Sequence, residues 1–160
     1  MLEYQVGDKV IHCNYGLGEI VQIDEKFIHE RQMLCYVVRT RDLTIWVTAD
    51  EPGKISIRRP TPGSKFENLF AILRSQGEPL PMDRHERKTY LLERIKDGEL
   101  ASICSVIRDL AFYRRGRKLN DYDKSTLDRA KNFLLSEWMH SLAVSQVQAN
   151  NELIELLGAV

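Results

Sequence analysis

Apolar residues in the first 60 positions occur in short runs that are separated by polar or glycine-bearing breaks. The runs are centred on Val10-Ile11, Ile20–Ile23, Phe27-Ile28, Tyr36–Val38 and Ile45–Val47. They are rich in β-branched and aromatic residues, which favour strands over helices. About five short strands with tight turns between them predict a small antiparallel β barrel.

The pattern changes at residues 60–63, where two prolines and a glycine interrupt the chain. Such a segment cannot continue a strand ladder, and the apolar spacing that follows it is helical, as in Phe66, Leu69, Phe70 and Leu73. The sequence therefore predicts a two-domain α+β protein. Its expected parts are a barrel over residues 1–59, a linker over 60–63 and a helical domain over 64–160.

The second half contains four further apolar stripes at helical spacing, and together they predict a bundle of about five helices. Ser64 and Asp83 are the predicted N-caps of the first two helices, because each has a glutamate three residues later. The four stripes are Leu91, Leu92 and Ile95; Leu100, Ile103, Cys104, Ile107 and Leu110; Leu127, Ala130, Phe133, Leu134 and Trp138; and Leu153–Leu157.

Composition and charge narrow the class of protein. Hydrophobic residues make up 43% of the chain and charged residues 29%, which is typical of a folded globular protein. No apolar run approaches the roughly 20 residues of a membrane span, and the N-terminus lacks the features of a secretory signal. The cysteines number three, which favours reduced thiols over a disulfide framework. We therefore expect a cytoplasmic protein with no membrane partner.

The formal net charge is zero, but the charges are unevenly distributed. Residues 84–118 carry ten Lys/Arg and five acidic residues, a net charge of +5. Residues 119–160 carry three Lys/Arg and six acidic residues, a net charge of −3. A basic region inside a neutral chain is compatible with a surface that faces a polyanion such as DNA. The alternative is a solvated helix face.

Motifs for catalysis or metal binding are not evident. His12 and Cys13 are adjacent, so in a strand they would point to opposite faces and could not hold one ion together. Gly16-Leu-Gly18 lacks the third glycine of a dinucleotide-binding turn. We interpret Gly16 and Gly18 as turn residues between the first two strands, and His12 and Cys13 as ordinary neighbours of that turn. We expect no enzyme, no metal and no cofactor.

Two stretches near the N-terminus, Val6–Val10 and Tyr15–Ile20, resemble the opening of the CarD/CdnL family of bacterial transcription regulators. Further matches follow in the same order over nearly the whole chain: Asp42–Ile45, Arg87–Gly98, Val106–Leu110 (VIRDL here) and Leu119–Leu135. The resemblance implies a Tudor-like (SH3-like) barrel, also found in the transcription-repair coupling factor, followed by a helical domain. It implies that the barrel binds the β subunit of RNA polymerase.

By the same resemblance, the helical domain contacts promoter DNA at the upstream edge of the transcription bubble and stabilises the open complex. The protein would be a monomer, associated with the nucleoid through RNA polymerase and weak in DNA binding alone. An alternative function is a polymerase-docking protein–protein adaptor with little or no DNA contact.

The resemblance also assigns candidate contacts to the polymerase. Lys26 stands where the family places a basic contact, and Trp46, with its neighbours Ile45 and Val47, stands where several members have an arginine. Trp46 is either an interface anchor or a residue packed on the barrel face.

For DNA, the family has a wedging tryptophan, and Arg84 occupies its position here. An arginine can enter a minor groove but cannot replace a flat wedge, so Met82 and His85 are candidate substitutes. Arg87 and Lys88 are candidate phosphate contacts. The later cluster of Arg114, Arg115, Arg117 and Lys118 is a further candidate by charge, with stabilisation of a helix C-terminus as its alternative.

Overall fold

A computed structural model describes residues 2–49 and 56–158, which form five β-strands followed by five α-helices. The α+β class and the antiparallel sheet are confirmed. The strands are β1 (Lys9–His12), β2 (Gly16–Ile28), β3 (Arg31–Thr40), β4 (Thr44–Thr48) and β5 (Ile57–Arg58). The helices are α1 (Phe66–Arg74), α2 (Arg84–Ile95), α3 (Leu100–Gly116), α4 (Asp121–Leu142) and α5 (Gln146–Gly158), with a 3₁₀ turn at Gly63–Lys65 before α1.

The strand order in the sheet is β4-β3-β2-β1-β5, with antiparallel pairing between neighbours. β4 and β5 stand at the two ends of this order, and no pairing between them occurs within the described residues. The sheet is open there, so closure into a barrel stays a prediction. The chain divides into two compact units between Pro60 and Thr61.

The core of the first unit forms on one face of the sheet from residues that alternate along the strands. Val10, Ile20, Tyr36, Val38 and Val47 belong to this cluster and are each at most 5% exposed. Alternation follows because successive side chains of a strand point to opposite faces. In β4, Val47 therefore faces the core and Trp46 faces away from it.

The two glycines near the β1–β2 turn have different roles. Gly16 opens β2 with a φ of 76°, a conformation that a side chain disfavours. Gly18 lies inside β2, and a β-carbon there would approach Val38 Cγ1 to 2.7 Å and the Arg39 carbonyl oxygen to 3.1 Å. Gly18 is thus required by close packing against β3, and not by the turn conformation that the sequence suggested.

His12 organises the same turn, which sequence reasoning missed. Its side chain is buried, and its Nδ1 accepts hydrogen bonds from the backbone N–H groups of Asn14 (3.1 Å) and Tyr15 (3.3 Å). Burial lowers the pKa of His12, since the charged imidazole is poorly solvated there. The neutral ring therefore caps the turn, and the interpretation of His12 as an ordinary neighbour is corrected.

This geometry predicts a pH-dependent turn. Above the ordinary histidine pKa of about 6.5, His12 is neutral and both hydrogen bonds form. As pH falls through the lowered folded-state pKa, protonation removes the Nδ1 acceptor, and the contribution of about 1 kcal/mol is lost. We expect the exchange protection factors of the Asn14 and Tyr15 amides to fall on acidification. His12→Asn, whose side-chain oxygen accepts without titrating, should remove that dependence; an unaltered pH profile in this variant would contradict the assignment.

Residues 61–63 belong to the helical unit, although the sequence suggested a separate linker. The Thr61 backbone N–H donates to Oε2 of Glu137 on α4 at 2.8 Å, and Glu137 is fully buried. At Gly63, a β-carbon would lie 3.1 Å from the Ser141 carbonyl oxygen. The chain is therefore held against α4 from Thr61 onward.

The core of the helical unit follows the predicted stripes, with one correction. All four residues of the first stripe are buried on α1, where Phe66 and Phe70 pack against Trp138 of α4. Leu92 is wrong as a core residue, being 42% exposed, because Leu91 on the neighbouring face turns inward instead. Cys104 and Cys35 are buried core residues as predicted, and burial, with the nearby Glu137, raises the pKa of Cys104 to about 12.

Of the two predicted N-caps, one is confirmed. The Asp83 carboxylate accepts from the backbone N–H groups of His85 (3.1 Å) and Glu86 (3.0 Å), as an N-cap should. Ser64 is wrong, because the 3₁₀ turn runs directly into α1 and Lys65, in helical conformation, occupies the cap without a side-chain hydrogen bond. Among the helices of the described part of the chain, none is long and apolar enough to cross a membrane.

Candidate functional sites

Arg87, a predicted phosphate contact, lies in the interior of the helical unit. It is 4% exposed and forms a bidentate ion pair with Asp123, with Nη2 2.9 Å from Oδ2 and Nε 3.0 Å from Oδ1. Its Nη1 donates to the carbonyl oxygens of Pro81 (3.2 Å) and Met82 (3.1 Å). All three guanidinium nitrogens are engaged, so the structure corrects the assignment: Arg87 has no exposed surface with which to reach a phosphate.

Asp123, the partner of Arg87, belongs to the start of α4. It forms a capping box with Asn120: the Asn120 side chain accepts from the Asp123 N–H at 2.8 Å, and the Asp123 carboxylate accepts from the Asn120 N–H. Arg87 also lies over the ring of Tyr113 on α3, 5.0 Å from its centroid. One buried cation thereby joins α2, α3, α4 and the loop before α2, and hydrogen bonding to Asp123 raises the pKa of Arg87 further.

The other candidates at the start of α2 are exposed. Met82 is 61% exposed, and the side chains of Arg84, His85 and Lys88 also lie at the surface. Arg84 and Lys88 are four residues apart and therefore share one face of the helix. Lys88 Nζ lies 4.8 Å from the ring centroid of Tyr122, at the start of α4. These cations form an accessible basic surface, here called the α2 surface.

The cluster after residue 113 surrounds the C-terminal end of α3. Arg115 donates to the backbone carbonyl oxygen of Leu157 at 2.7 Å and so holds the end of α5. Arg114, Arg117 and Lys118 are exposed and line an open cavity of about 520 Å³. A second cavity, of about 450 Å³, is lined by Met82, Arg115 and Arg117 among others. The structure thus brings Met82 and this cluster to one region, which sequence distance did not reveal.

The predicted polymerase contacts divide into two pairs. Trp46 is 40% exposed, and Lys26 Nζ lies 4.9 Å from the centroid of its indole ring, a cation–π geometry. Ile45 is half-buried and Val47 is 5% exposed, and both pack on the core. The buried Val47 side chain has little surface to offer a partner, which corrects that part of the assignment, whereas Ile45 is partly accessible and stays a prediction. The Lys26–Trp46 pair lies partly on β4, the end strand of the sheet.

Among the described residues, no group of three or more His, Cys, Asp or Glu side chains is placed to bind one metal ion. Cys13 is half-buried and Cys35 fully buried. The accessible features among the candidates are instead a cation–π pair on an end strand, and basic groups around α2 and the end of α3.

Comparison with known proteins gives matches over both units. Residues 4–60 match the family described as "CarD-like/TRCF RID domain", and residues 68–154 match "CarD, C-terminal domain". The chain is also 27% identical, over 136 residues, to the Bacillus subtilis (strain 168) protein named "Putative transcription factor YdeB". That alignment covers 84% of this chain and 89% of the relative. The C-terminal match alone spans more than half of the sequence, and the chain therefore belongs to the CarD/CdnL family of transcription-related proteins.

Proposed function

We propose that this protein regulates bacterial transcription by docking on the β subunit of RNA polymerase and contacting promoter DNA at the upstream edge of the bubble, where it stabilises the open complex. The observation that supports this most directly is the pair of family matches, over residues 4–60 and 68–154, in the order of the two units. The proposal includes a non-enzymatic, monomeric protein with a Tudor-like barrel, working in the cytoplasm at the nucleoid.

Docking uses the first unit through the Lys26–Trp46 pair and the edge of β4 that has no strand partner among the described residues. An end strand offers unpaired backbone groups to a strand of the partner, while side chains beside it set specificity. Trp46 is suited to anchor such a contact because its large ring is partly exposed and held by Lys26. A pull-down with purified polymerase and with its isolated β lobe tests this step.

DNA contact uses the α2 surface of the second unit. Arg84 can insert into a narrow minor groove, where the negative potential attracts a cation. Met82 has an exposed apolar side chain that can wedge between adjacent base pairs. Lys88 and His85 lie close by, with Lys88 suited to a phosphate. Because the polymerase holds the protein beside the promoter, weak contacts suffice at the resulting effective concentration.

Combined replacement of Arg84 and Lys88 by alanine should shorten the open-complex lifetime by about tenfold, the equivalent of about 1.4 kcal/mol. Polymerase binding should be unchanged, since the docking pair lies in the other unit. Lifetimes measured by competitor challenge check this result, with Lys65→Ala as a control that removes an exposed cation from the 3₁₀ turn. An unchanged open-complex lifetime in the double variant would contradict the proposed DNA contact.

A second candidate function is a polymerase-docking adaptor without DNA contact. The positions of the two tryptophans favour this adaptor function. Trp46 lies in the first unit, and Trp138 is 0% exposed in the core of the helical unit. No tryptophan is therefore available as a DNA wedge in the second unit, and Arg84 stands in the family's wedge position. Footprinting of a polymerase–promoter complex with and without the protein separates the two: extended protection upstream supports DNA contact, and an identical footprint supports the adaptor.

A further inference from the structure

Four basic side chains surround the 520 Å³ cavity between the end of α3 and the first turns of α4: Arg114, Arg117, Lys118 and Lys124. Asp128 is the one acidic residue among its lining residues, so the lining carries four positive charges less one negative, hence +3. The volume lies within the range of about 300–1,000 Å³ that small-molecule sites occupy.

These four cations lack carboxylate partners in the part of the chain that the structure describes. Within residues 2–49 and 56–158, none of them forms an ion pair or a side-chain hydrogen bond, whereas the buried Arg87 and the half-buried Arg108 are paired with carboxylates. Like charges gathered at one cavity repel each other, and an anion that enters the cavity would relieve that repulsion.

Lys131, one helical turn beyond the cavity residue Leu127 on α4, is a further cation near Arg114. Burial and the nearby charge of Arg114 lower the pKa of Lys131, although Asp128 acts in the opposite direction. Arg114 therefore lies close enough to Lys131 for the two positive charges to repel each other.

The cavity also has apolar walls and an apolar neighbour. Leu119 and Leu127, which are buried, line it beside the cations. The 450 Å³ cavity lies next to it and shares Gly116 and Arg117, and its own lining includes Leu80, Phe112 and Tyr113. A cationic compartment thus adjoins an apolar, aromatic one.

We propose that the two cavities together bind a nucleoside polyphosphate, with its phosphates among Arg114, Arg117, Lys118 and Lys124 and its base in the compartment lined by Phe112 and Tyr113. Guanidinium and ammonium groups are the usual partners of phosphate oxygens, and aromatic side chains pack favourably on a base. An inorganic phosphate would use only the first compartment. The four cations of this site are distinct from Arg84 and Lys88 of the α2 surface, although Met82 lines the second compartment. Nucleotide binding does not require the DNA or polymerase contacts proposed above.

Binding of a fluorescent N-methylanthraniloyl derivative of ADP to the full chain, followed by anisotropy, tests the proposal. We expect saturation at one site per chain and displacement by unlabelled ADP. Adenosine and inorganic diphosphate should each compete at least about tenfold less well, because each occupies one compartment only. No saturable binding, or diphosphate competing as well as ADP, would overturn the nucleotide assignment.

Matched variants separate a built site from general attraction to positive charge. Lys124→Gln should weaken ADP binding by about tenfold, as expected for one charge-assisted contact. Arg129→Gln makes the same charge change at an exposed position of α4 that does not line the cavity, and should bind ADP as the unaltered chain does. Equal losses in the two variants would show unspecific attraction and overturn the site.

Gly116→Leu tests shape without changing charge. A β-carbon on Gly116 would meet no atom within 4 Å, so the backbone tolerates a side chain there. Because Gly116 lines both cavities, the leucine should fill the passage between them and weaken ADP binding while the binding of inorganic diphosphate is retained. ADP binding equal to that of the unaltered chain would contradict the two-compartment arrangement. Far-ultraviolet circular dichroism establishes that each variant is folded.

Discussion

Replacing Arg87 by methionine should lower the free energy of unfolding of the helical unit by about 3–5 kcal/mol, the cost of leaving one member of a buried ion pair alone. Methionine keeps most of the side-chain volume and suits a helix, so the loss reports the missing charge and hydrogen bonds. Asp123 would stay 1% exposed without its partner, and the carbonyl groups of Pro81 and Met82 would lose their donor. Urea denaturation followed by circular dichroism measures the change.

Two further variants make this result specific. Lys88→Met also replaces a cation by methionine, but on the exposed side of the same helix. It should alter the free energy of unfolding by no more than about 0.5 kcal/mol. Adding Asp123→Asn to Arg87→Met removes the uncompensated buried charge, while the amide oxygen can still accept from the Asn120 N–H. The double variant should therefore be more stable than Arg87→Met alone. If Arg87→Met costs no more than Lys88→Met, the ion pair does not hold α2 to α4.

This expectation changes how DNA contact can be tested. A loss of open-complex stabilisation on removing Arg87 would report a damaged helical unit, because a typical domain has only about 5–15 kcal/mol of stability in total. Arg84 and Lys88 carry exposed charges on the same helix and can be removed without that cost. They are therefore the residues through which the proposed DNA contact can be examined.

Replacing Trp46 by alanine should weaken binding to the isolated β lobe of RNA polymerase by about 30-fold, corresponding to about 2 kcal/mol at a tryptophan anchor. The alanine variant lacks the indole ring, and with it both the contact area on the partner and the cation–π contact with Lys26. Removing Lys26 alone, as Lys26→Met, should have a smaller effect, since an exposed cation–π contact is worth only about 0.5–1 kcal/mol. Titration calorimetry with the purified lobe measures both.

Phe27 provides the matched control for the docking surface. It is the neighbour of Lys26 on β2, is 72% exposed and points to the other face of the sheet. Phe27→Ala therefore removes a comparable aromatic side chain from the same unit and should leave lobe binding intact. Equal affinities for the Trp46→Ala variant and the unaltered chain would remove Trp46 from the interface, and a larger loss from Phe27→Ala would place the interface on the opposite face.

The parts of the fold that depend on neighbours in sequence were predictable. Apolar spacing located the strands and helices, and the Phe66–Leu73 stripe is buried as expected. The Asp83 cap was also predictable, because its partners lie two and three residues away. Ser64 has the same spacing to a glutamate, but its prediction as an N-cap was wrong. The chain enters α1 from a 3₁₀ turn and not from an extended residue.

The candidate sites were less accessible to sequence reasoning. His12 caps its turn through a ring nitrogen, and histidine is not among the usual capping residues, so its partners two and three residues away gave no signal. Trp46 and Val47 are adjacent in the sequence and were assigned together, yet strand alternation places Val47 in the core and leaves Trp46 partly exposed on the other face. That outcome could have been foreseen from the period of two.

By itself, the sequence determined the class of the protein, its two-part organisation, its family resemblance and the type of most elements, because local spacing decides which faces are apolar. Only the tertiary structure decided which charges are free. Arg87 and Lys88 are adjacent cations, but Arg87 finds a carboxylate 36 residues away and is buried, while Lys88 stays at the surface. Arg114, Arg117, Lys118 and Lys124 surround one cavity because α3 and α4 meet there. The availability of a charge depends on partners that the fold brings from elsewhere in the chain.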